Sequence, residues 1–347
     1  MRDSFRSARD KLSLAPVALR AAVFNRSAHA LARLRYMMPD AHPSRFDIDV
    51  ESNVPYRAPH GRRAAQDAHL LDVYMPTRAP KPLPVVMYVH GGAFCMLSKD
   101  THRVMALSIA RRGYLVFNIN YRLGPRHTYP APLEDVCDAL AWVHANCARY
   151  GGDPDRLAIA GESAGGNLVT ALAIAASYRR PEPFARRIFD LDIPLRAVIA
   201  TYGFLDIAYI DRYLANPKLP RWMKAMLLDA AKSYMGANVH AGVARSPLAS
   251  PLTIIESSPP PERPLPPFFL SVGTRDPLIR CSKRLKAALD RADVACELHV
   301  SKGEIHGYDA MVWRPMAKLK WRAAHDFLTR HMAPPDARVR DGLAEAG

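Results

Sequence analysis

The chain has no uncharged apolar run of the length a bilayer-spanning helix needs, which argues against a transmembrane helix. It has only five cysteines (Cys95, Cys137, Cys147, Cys281 and Cys296), an odd number with no C-x-x-C spacing. That pattern argues against a structural metal and against a disulfide framework, and free thiols in a reducing cytoplasm are expected. No helix-turn-helix, zinc-finger or RNA-binding signature occurs, so nucleic acid is not expected as a partner. A secretory signal is also poorly matched. The apolar stretch 12–24 is broken by Arg20, and Asp3 and Asp10 stand upstream. No internal repeat is present.

Acidic residues are the scarcer sign: 33 Asp and Glu face 48 Lys and Arg, giving a net charge of +15 over 347 residues. An arginine-rich surface explains this most simply; an anionic membrane surface is the sharper reading. Part of the excess lies at the start, where residues 1–46 hold nine Lys or Arg and three Asp. The hydrophobic share of 49% is that of a globular protein, long enough for one large α/β domain with insertions.

Residues 1–45 read as helical and amphipathic, with Phe24, Ala28, Leu31 and Leu34 at helical spacing. Pro43, Pro55 and Pro59 mark a linker. Strands are then expected over 68–75, 85–89, 114–119, 156–160, 197–201, 268–272 and 296–300. Helices are expected over 104–112, 133–149, 164–176, 280–293 and 315–331. A segment over 207–245 interrupts this alternation and contains a helix with Met223, Met226, Leu227, Ala230 and Tyr234 on one face. The expected organisation is an N-terminal helical segment and linker over 1–55, a catalytic domain over 56–333 with an insertion at 207–245, and a disordered polar tail over 334–347. Alternating strands and helices imply a mainly parallel sheet covered on both faces, with chemistry at the carboxyl ends of the strands.

The most informative stretch is Gly161-Glu162-Ser163-Ala164-Gly165. It matches G-x-S-x-G, a tight turn that lifts a nucleophilic serine off a strand end, and its flanks read as strand and helix. A serine hydroxyl needs a base in hydrogen-bond reach, and the base needs an orienting carboxylate. In this type of site the acid and the histidine follow the serine in chain order. Asp276 and His306 each follow a strand, and the 30 residues between them hold one helix and one strand. His299 lies inside a strand, and His325 and His331 lie in the last helix. Asp206 and Asp309 are the fallback acids. Glu162 reads as a residue that holds the turn through a hydrogen bond. An oxyanion needs N–H groups aimed at it in advance, and His90-Gly91-Gly92-Ala93-Phe94 follows a buried strand. Gly91, Gly92 and Ala164 are the expected donors. His90 is expected to anchor the loop.

These motifs resemble the hormone-sensitive-lipase-like branch of the α/β-hydrolases, the bacterial family IV carboxylesterases. The likeness runs from about Leu71 to about Arg330. His90-Gly91-Gly92 resembles the oxyanion motif, and 161–166 resembles the G-[DE]-S-A-G-G turn. Asp276-Pro277-Leu278 and His306-Gly307-Tyr308 resemble the acid and base loops. Tyr121-Arg122-Leu123-Gly124-Pro125 is similar to a structural Y-R-L-A-P stretch, and Ser246-Pro247-Leu248 to the segment where the chain re-enters the core. Ala93 replaces a third glycine, Asn120 a common aspartate and Arg126 a common glutamate. The resemblance implies an α/β-hydrolase fold and hydrolysis of short to medium acyl esters without cofactor or metal. It also implies a helical cap built from the N-terminal helices and the insertion.

The expected function is therefore a serine carboxylesterase acting on a small-molecule ester through an acyl-enzyme on Ser163. An arylamide deacetylase or an acyltransferase would use the same machinery. A ligand receptor on this fold is the reading from another class, disfavoured because all three triad positions are filled. Phe94, Trp222, Met223 and Met226 are the candidate pocket residues. The basic start either packs as part of the cap or lies on an anionic membrane as a peripheral contact of a cytoplasmic protein. A homodimer is compatible with this reading.

Overall fold

A computed structural model describes residues 25–30, 32, 34, 42–58, 67–240 and 246–334. Eight strands form one sheet: β1 (Ile48–Pro55), β2 (Leu70–Pro76), β3 (Leu83–Val89), β4 (Leu115–Ile119), β5 (Gly152–Glu162), β6 (Leu195–Thr201), β7 (Phe268–Gly273) and β8 (Cys296–Ser301). Their order is β1-β2-β4-β3-β5-β6-β7-β8. The β1–β2 and β2–β4 pairs are antiparallel and the rest are parallel.

The helices include α1 (Arg103–Ala110), α2 (Ala131–Asn146), α3 (Ala164–Ser177), α4 (Pro183–Asp190), α5 (Ile210–Leu214), α6 (Arg221–Met235), α7 (Pro251–Ser257), α8 (Ile279–Arg291) and α9 (Pro315–His331). The continuous apolar run of β3 is explained by covering on both sides. Val85, Met87 and Val89 face a core shared with Leu133 and Leu140 of α2 and Leu168 and Leu172 of α3. Val86 and Tyr88 point the other way, into a core shared with Met105 and Ile109 of α1 and Phe327 of α9. Successive strand side chains alternate between faces, so a strand buried on both carries no polar residue to reveal its period.

Register places the site. Val89 at the end of β3 lies opposite Gly161 of β5, and Glu162 lies opposite Thr201 of β6. Gly273 of β7 lies opposite Ser301 of β8. The loops after these strands therefore leave the same edge of the sheet side by side.

The stretch expected as a linker holds β1, which pairs along β2 from Ile48 opposite Pro76 to Pro55 opposite Leu70. Only Ile48 of this edge strand is buried, so it shows little apolar alternation, and an edge tolerates a terminal proline. Helices α4 and α7 were also not foreseen. Within the insertion, α6 buries Leu227, Ala230, Ala231 and Tyr234, whereas Met226 is exposed and Met223 half-buried. Most of the expected N-terminal segment over 1–55 and nearly all of the tail over 334–347 lie outside the described residues. Residues 25–30, 32 and 34 are helical, and Leu34 is exposed. Among the described residues no helix is long and apolar enough to cross a membrane.

Candidate active site

Strand β5 delivers Ser163 into a sharp turn, with φ 55° and ψ −113°. Non-glycine residues seldom adopt such a backbone, and it persists only where the surroundings fix it. Here the Ser163 N–H donates to the Thr201 carbonyl at 2.9 Å. The flanking glycines are a steric necessity. A Cβ on Gly161 would lie 2.6 Å from the Gly165 carbonyl oxygen, and one on Gly165 would lie 2.1 Å from that of Val89.

The three residues expected from chain order come together. His306 Nε2 lies 2.9 Å from Ser163 Oγ, and His306 Nδ1 lies 2.8 Å from Asp276 Oδ2. A carboxylate can only accept, so Nδ1 carries the proton and Nε2 presents its lone pair to the serine hydroxyl. The other Asp276 oxygen accepts from the Leu278 N–H at 2.8 Å, which fixes the buried carboxylate in place. Burial alone would lower the pKa of His306. The charge and hydrogen bond of Asp276 outweigh it, with Glu162 and Asp309 adding in the same direction, and the ring is held above the ordinary histidine value.

The loop after β3 departs from expectation at Gly91. Its N–H donates to Glu162 Oε1 at 2.7 Å, so it is occupied and cannot also serve an oxyanion. Gly91 is buried, whereas Gly92 and Ala93 are partly exposed. The N–H groups of Gly92, Ala93 and Ala164 have no hydrogen-bond partner among the described residues. Gly92, Ala93 and Phe94 all have positive φ (115°, 53° and 60°), and runs of unusual dihedrals of this kind can turn successive N–H groups toward one concavity. Gly92 must be glycine, since a Cβ there would sit 2.0 Å from the Met96 carbonyl oxygen. Ala164 opens α3, whose N-terminus favours negative charge.

His90 is buried, stacks on Tyr121 with ring centroids 4.4 Å apart, and has Nδ1 2.6 Å from the Gly91 carbonyl. Burial and the nearby His102 push its pKa down to about 3, so it is a neutral anchor of the loop. Arg122 of the Tyr121–Pro125 stretch pairs with Asp135 at 2.8 Å. Asn120 accepts from the Lys99 N–H at 2.7 Å.

The four candidate pocket residues separate. Phe94 is fully buried and stacks on Tyr234 of α6, with centroids 4.0 Å apart and planes 4° from parallel. It fastens the loop to α6 and lines no open pocket. Trp222 and Met226 are exposed, and Met223 is half-buried. Met223 and Met226 lie on the same face of α6 as the buried Leu227, Ala230 and Tyr234, nearer its N-terminal end.

The fallback acids are engaged elsewhere. Asp206 pairs with Arg284 and Arg212, and Asp309 pairs with Lys320 at 2.7 Å. Glu162 does more than hold its own turn. Oε1 also faces His102 Nε2 at 2.8 Å, and Oε2 accepts from the Tyr202 hydroxyl at 2.9 Å. The sequence reading missed His102, Tyr202 and Lys320. Only Lys320 left a signal: it sits among Ala317, Trp321 and Ala324, on the buried face of α9. Beyond the loop, Asn25 Oδ1 accepts from the Leu97 N–H and His29 Nε2 contacts Ser98 Oγ, each at 2.8 Å. No group of three His, Cys, Asp or Glu side chains able to hold a metal ion occurs among the described residues.

Residues 86–310 match the family model described as alpha/beta hydrolase fold. The chain is 32% identical over 244 residues to carboxylesterase NlhH of Mycobacterium tuberculosis, covering 68% of this chain and 70% of that one. Among solved structures it resembles a bacterial heroin esterase, with a TM-score of 0.71, 23% identity and coverage of 91% and 92% of the two chains. It also resembles esterase LipW of Mycobacterium marinum, with a TM-score of 0.70, 25% identity and coverage of 92% and 90%. Matched motifs, sheet order and relatives agree: this chain belongs to the α/β-hydrolase fold family, in its hormone-sensitive-lipase-like branch.

Proposed function

We propose that this chain is a carboxylic ester hydrolase that works through an acyl-enzyme on Ser163. The observation that carries the reading is the unbroken hydrogen-bond line from Asp276 through His306 to the Ser163 hydroxyl. His306 takes the hydroxyl proton as the serine oxygen attacks the ester carbonyl. Asp276 holds the ring in the reactive tautomer and stabilises the imidazolium that forms. Charge developing on the carbonyl oxygen is met by the N–H groups of Gly92 and Ala164, with Ala93 in place of Gly91 as the third donor. Imidazolium then protonates the leaving alcohol. Water, activated by the same ring, attacks the acyl-enzyme and releases the acid.

The substrate in this reading is a small ester with a short to medium acyl chain. Helices α5 and α6, with the N-terminal helical residues, form a cap over it. Two contacts support that: Tyr234 of α6 stacks on Phe94, and Asn25 accepts from the Leu97 N–H. Both tie the proposed cap to the loop that carries the oxyanion donors. Initial rates on p-nitrophenyl esters of increasing acyl length, with Ser163→Ala as control, test the reading. Expected are turnover that peaks at short to medium chains and its loss in the variant. Equal, slow rates for both proteins on every ester would overturn it.

A further inference from the structure

Behind the catalytic histidine runs a buried string of side chains that the proposed mechanism leaves unused. His102 contacts Glu162, the Tyr202 hydroxyl lies between Glu162 and Asp309, and Asp309 pairs with Lys320. None of the five is more than 8% exposed. A buried ionic network of this size is costly unless every member is paired. Here each carboxylate has a cation on its outer side and the same phenol on its inner side.

Two features show what the string holds. First, Tyr202 lies against the His306 ring, with centroids 4.5 Å apart and planes 56° from parallel. Its own backbone is tightly defined, with φ 33° and an N–H donating to Ser271 at 2.7 Å. Second, one phenolic proton faces two acceptors, Glu162 Oε2 and Asp309 Oδ1. A hydroxyl offers a single donor, so its oxygen is pinned between two carboxylates that would repel each other without it.

Donor counting also fixes the charge on His102. Nε2 faces the Glu162 carboxylate at 2.8 Å, and Nδ1 lies 2.8 Å from Thr101 Oγ1 and 3.0 Å from the Ser98 carbonyl. The carboxylate and the carbonyl can only accept, and the Thr101 hydroxyl already donates to the Ser98 carbonyl at 2.7 Å, so both ring nitrogens carry protons and the ring is an imidazolium. Consistent with this, burial disfavours the charge but Glu162 more than restores it, and the pKa of His102 is raised.

We propose that Tyr202 is a positioning residue for His306, clamped by the charged string that runs from His102 through Glu162 and Asp309 to Lys320. This rests on the reading of His306 as the general base. The groups facing that base are Asp276 from the loop after β7, Glu162 and Ser163 from the turn after β5, Tyr202 from the end of β6, and Asp309 from its own loop. Lys320 of α9 reaches it only through Asp309, and Arg314 is paired with Glu304. Tyr202 acts in two ways. Its ring blocks one face of His306, so the imidazole stays aimed at Ser163 as it gains and loses a proton. Its hydroxyl stands between Glu162 and Asp309 and keeps the two carboxylates apart, and the charges of both favour the imidazolium.

Tyr202→Phe keeps the ring and removes the hydroxyl. The two carboxylates then face each other with nothing between, one takes up a proton, and a negative charge leaves the surroundings of His306. The expected result is a kcat lower by about tenfold, a KM unchanged within about twofold, and an acid limb of kcat/KM moved to lower pH. In an Asp309→Asn background the same change should move the limb by less, because the repelling pair is already gone. Wild-type kcat and pH profile in Tyr202→Phe, with only the melting temperature altered, would overturn the proposal. A second measurement needs no variant and no turnover. In wild-type protein carrying 15N-labelled histidine, His102 should show two protonated ring nitrogens at pH values where His306 is neutral. A His102 ring with one bare nitrogen there would overturn the clamp, whatever the Ser163→Ala control says about ester hydrolysis.

Discussion

The Gly91 N–H donates to Glu162 Oε1 across 2.7 Å, and this bond ties the loop after β3 to the serine turn after β5. The two segments are 71 residues apart in sequence. Their register is set by the pairing of Val89 with Gly161, but the side-chain bond fixes their loops beyond the last strand residue. The proposed oxyanion donors and the proposed nucleophile are therefore tied to each other by a side-chain bond as well as by the sheet.

That bond predicts the effect of Glu162→Gln. An amide offers one acceptor oxygen where the carboxylate serves Gly91, His102 and Tyr202, and it leaves the buried His102 charge without its partner. Urea unfolding should show a loss of roughly 1–3 kcal/mol, accompanied by slower ester turnover. Unchanged stability would mean that Glu162 is not the joint between the loops.

The same residue predicts a pH dependence of stability. Burial opposes ionisation of Glu162, but His102 and Tyr202 outweigh it and hold the carboxyl at about 2. A folded pKa below the unfolded one stabilises fully above the unfolded value, near the ordinary 4.5. That contribution is lost as pH falls toward about 2. Melting temperatures taken between pH 6 and pH 3, roughly spanning that range, should fall more steeply for wild type than for Glu162→Gln.

Asp276→Asn should slow kcat by about 10³–10⁴ while leaving the protein folded, because the amide favours the wrong histidine tautomer. The sign of the pH effect follows from the charges. Asp276 raises the pKa of His306, so wild type loses activity on the acid side at a pH above that of an ordinary histidine. Removing the carboxylate charge should move that limb to lower pH. A pH–rate profile of residual activity checks both parts.

Ala93 has φ 53° where glycine would be unstrained, and its N–H is assigned to the oxyanion. Ala93→Gly should keep the N–H and relieve the backbone, so thermal unfolding should show equal or higher stability, by up to about 1 kcal/mol. Gly92→Ala is the opposite case. Its Cβ would strike the Met96 carbonyl, and turnover should fall by about 10²–10³ as the donors are displaced.

Phe94 and Trp222 should behave differently. Phe94→Ala removes a fully buried ring stacked on Tyr234 and should cost about 3–5 kcal/mol. Trp222 is 57% exposed, and Trp222→Ala should stay within about 0.5 kcal/mol of wild type in the same unfolding assay.

Much of this site could be read before any coordinates. Ser163, Asp276 and His306 announce themselves because each follows a strand, in one chain order, with one helix and one strand between the last two. What escaped has a common cause. The Gly91 bond to Glu162 and the Tyr202 bridge depend on which side chain fills which gap between loops, and no local pattern encodes that. Strand β1 escaped because an edge strand with one buried residue lacks the alternation that marks a half-buried strand. Lys320 was the legible exception, a lysine on an apolar helix face that needs a buried carboxylate.

The central claim is that the Ser163 oxygen becomes acylated during turnover. Quenching the enzyme with acid during steady-state hydrolysis of a p-nitrophenyl ester, then mapping peptides by mass, tests it directly. The account predicts an acyl group on the peptide bearing Ser163, absent from Ser163→Ala. Sustained ester hydrolysis with that peptide unmodified and an acyl group on another residue would contradict it.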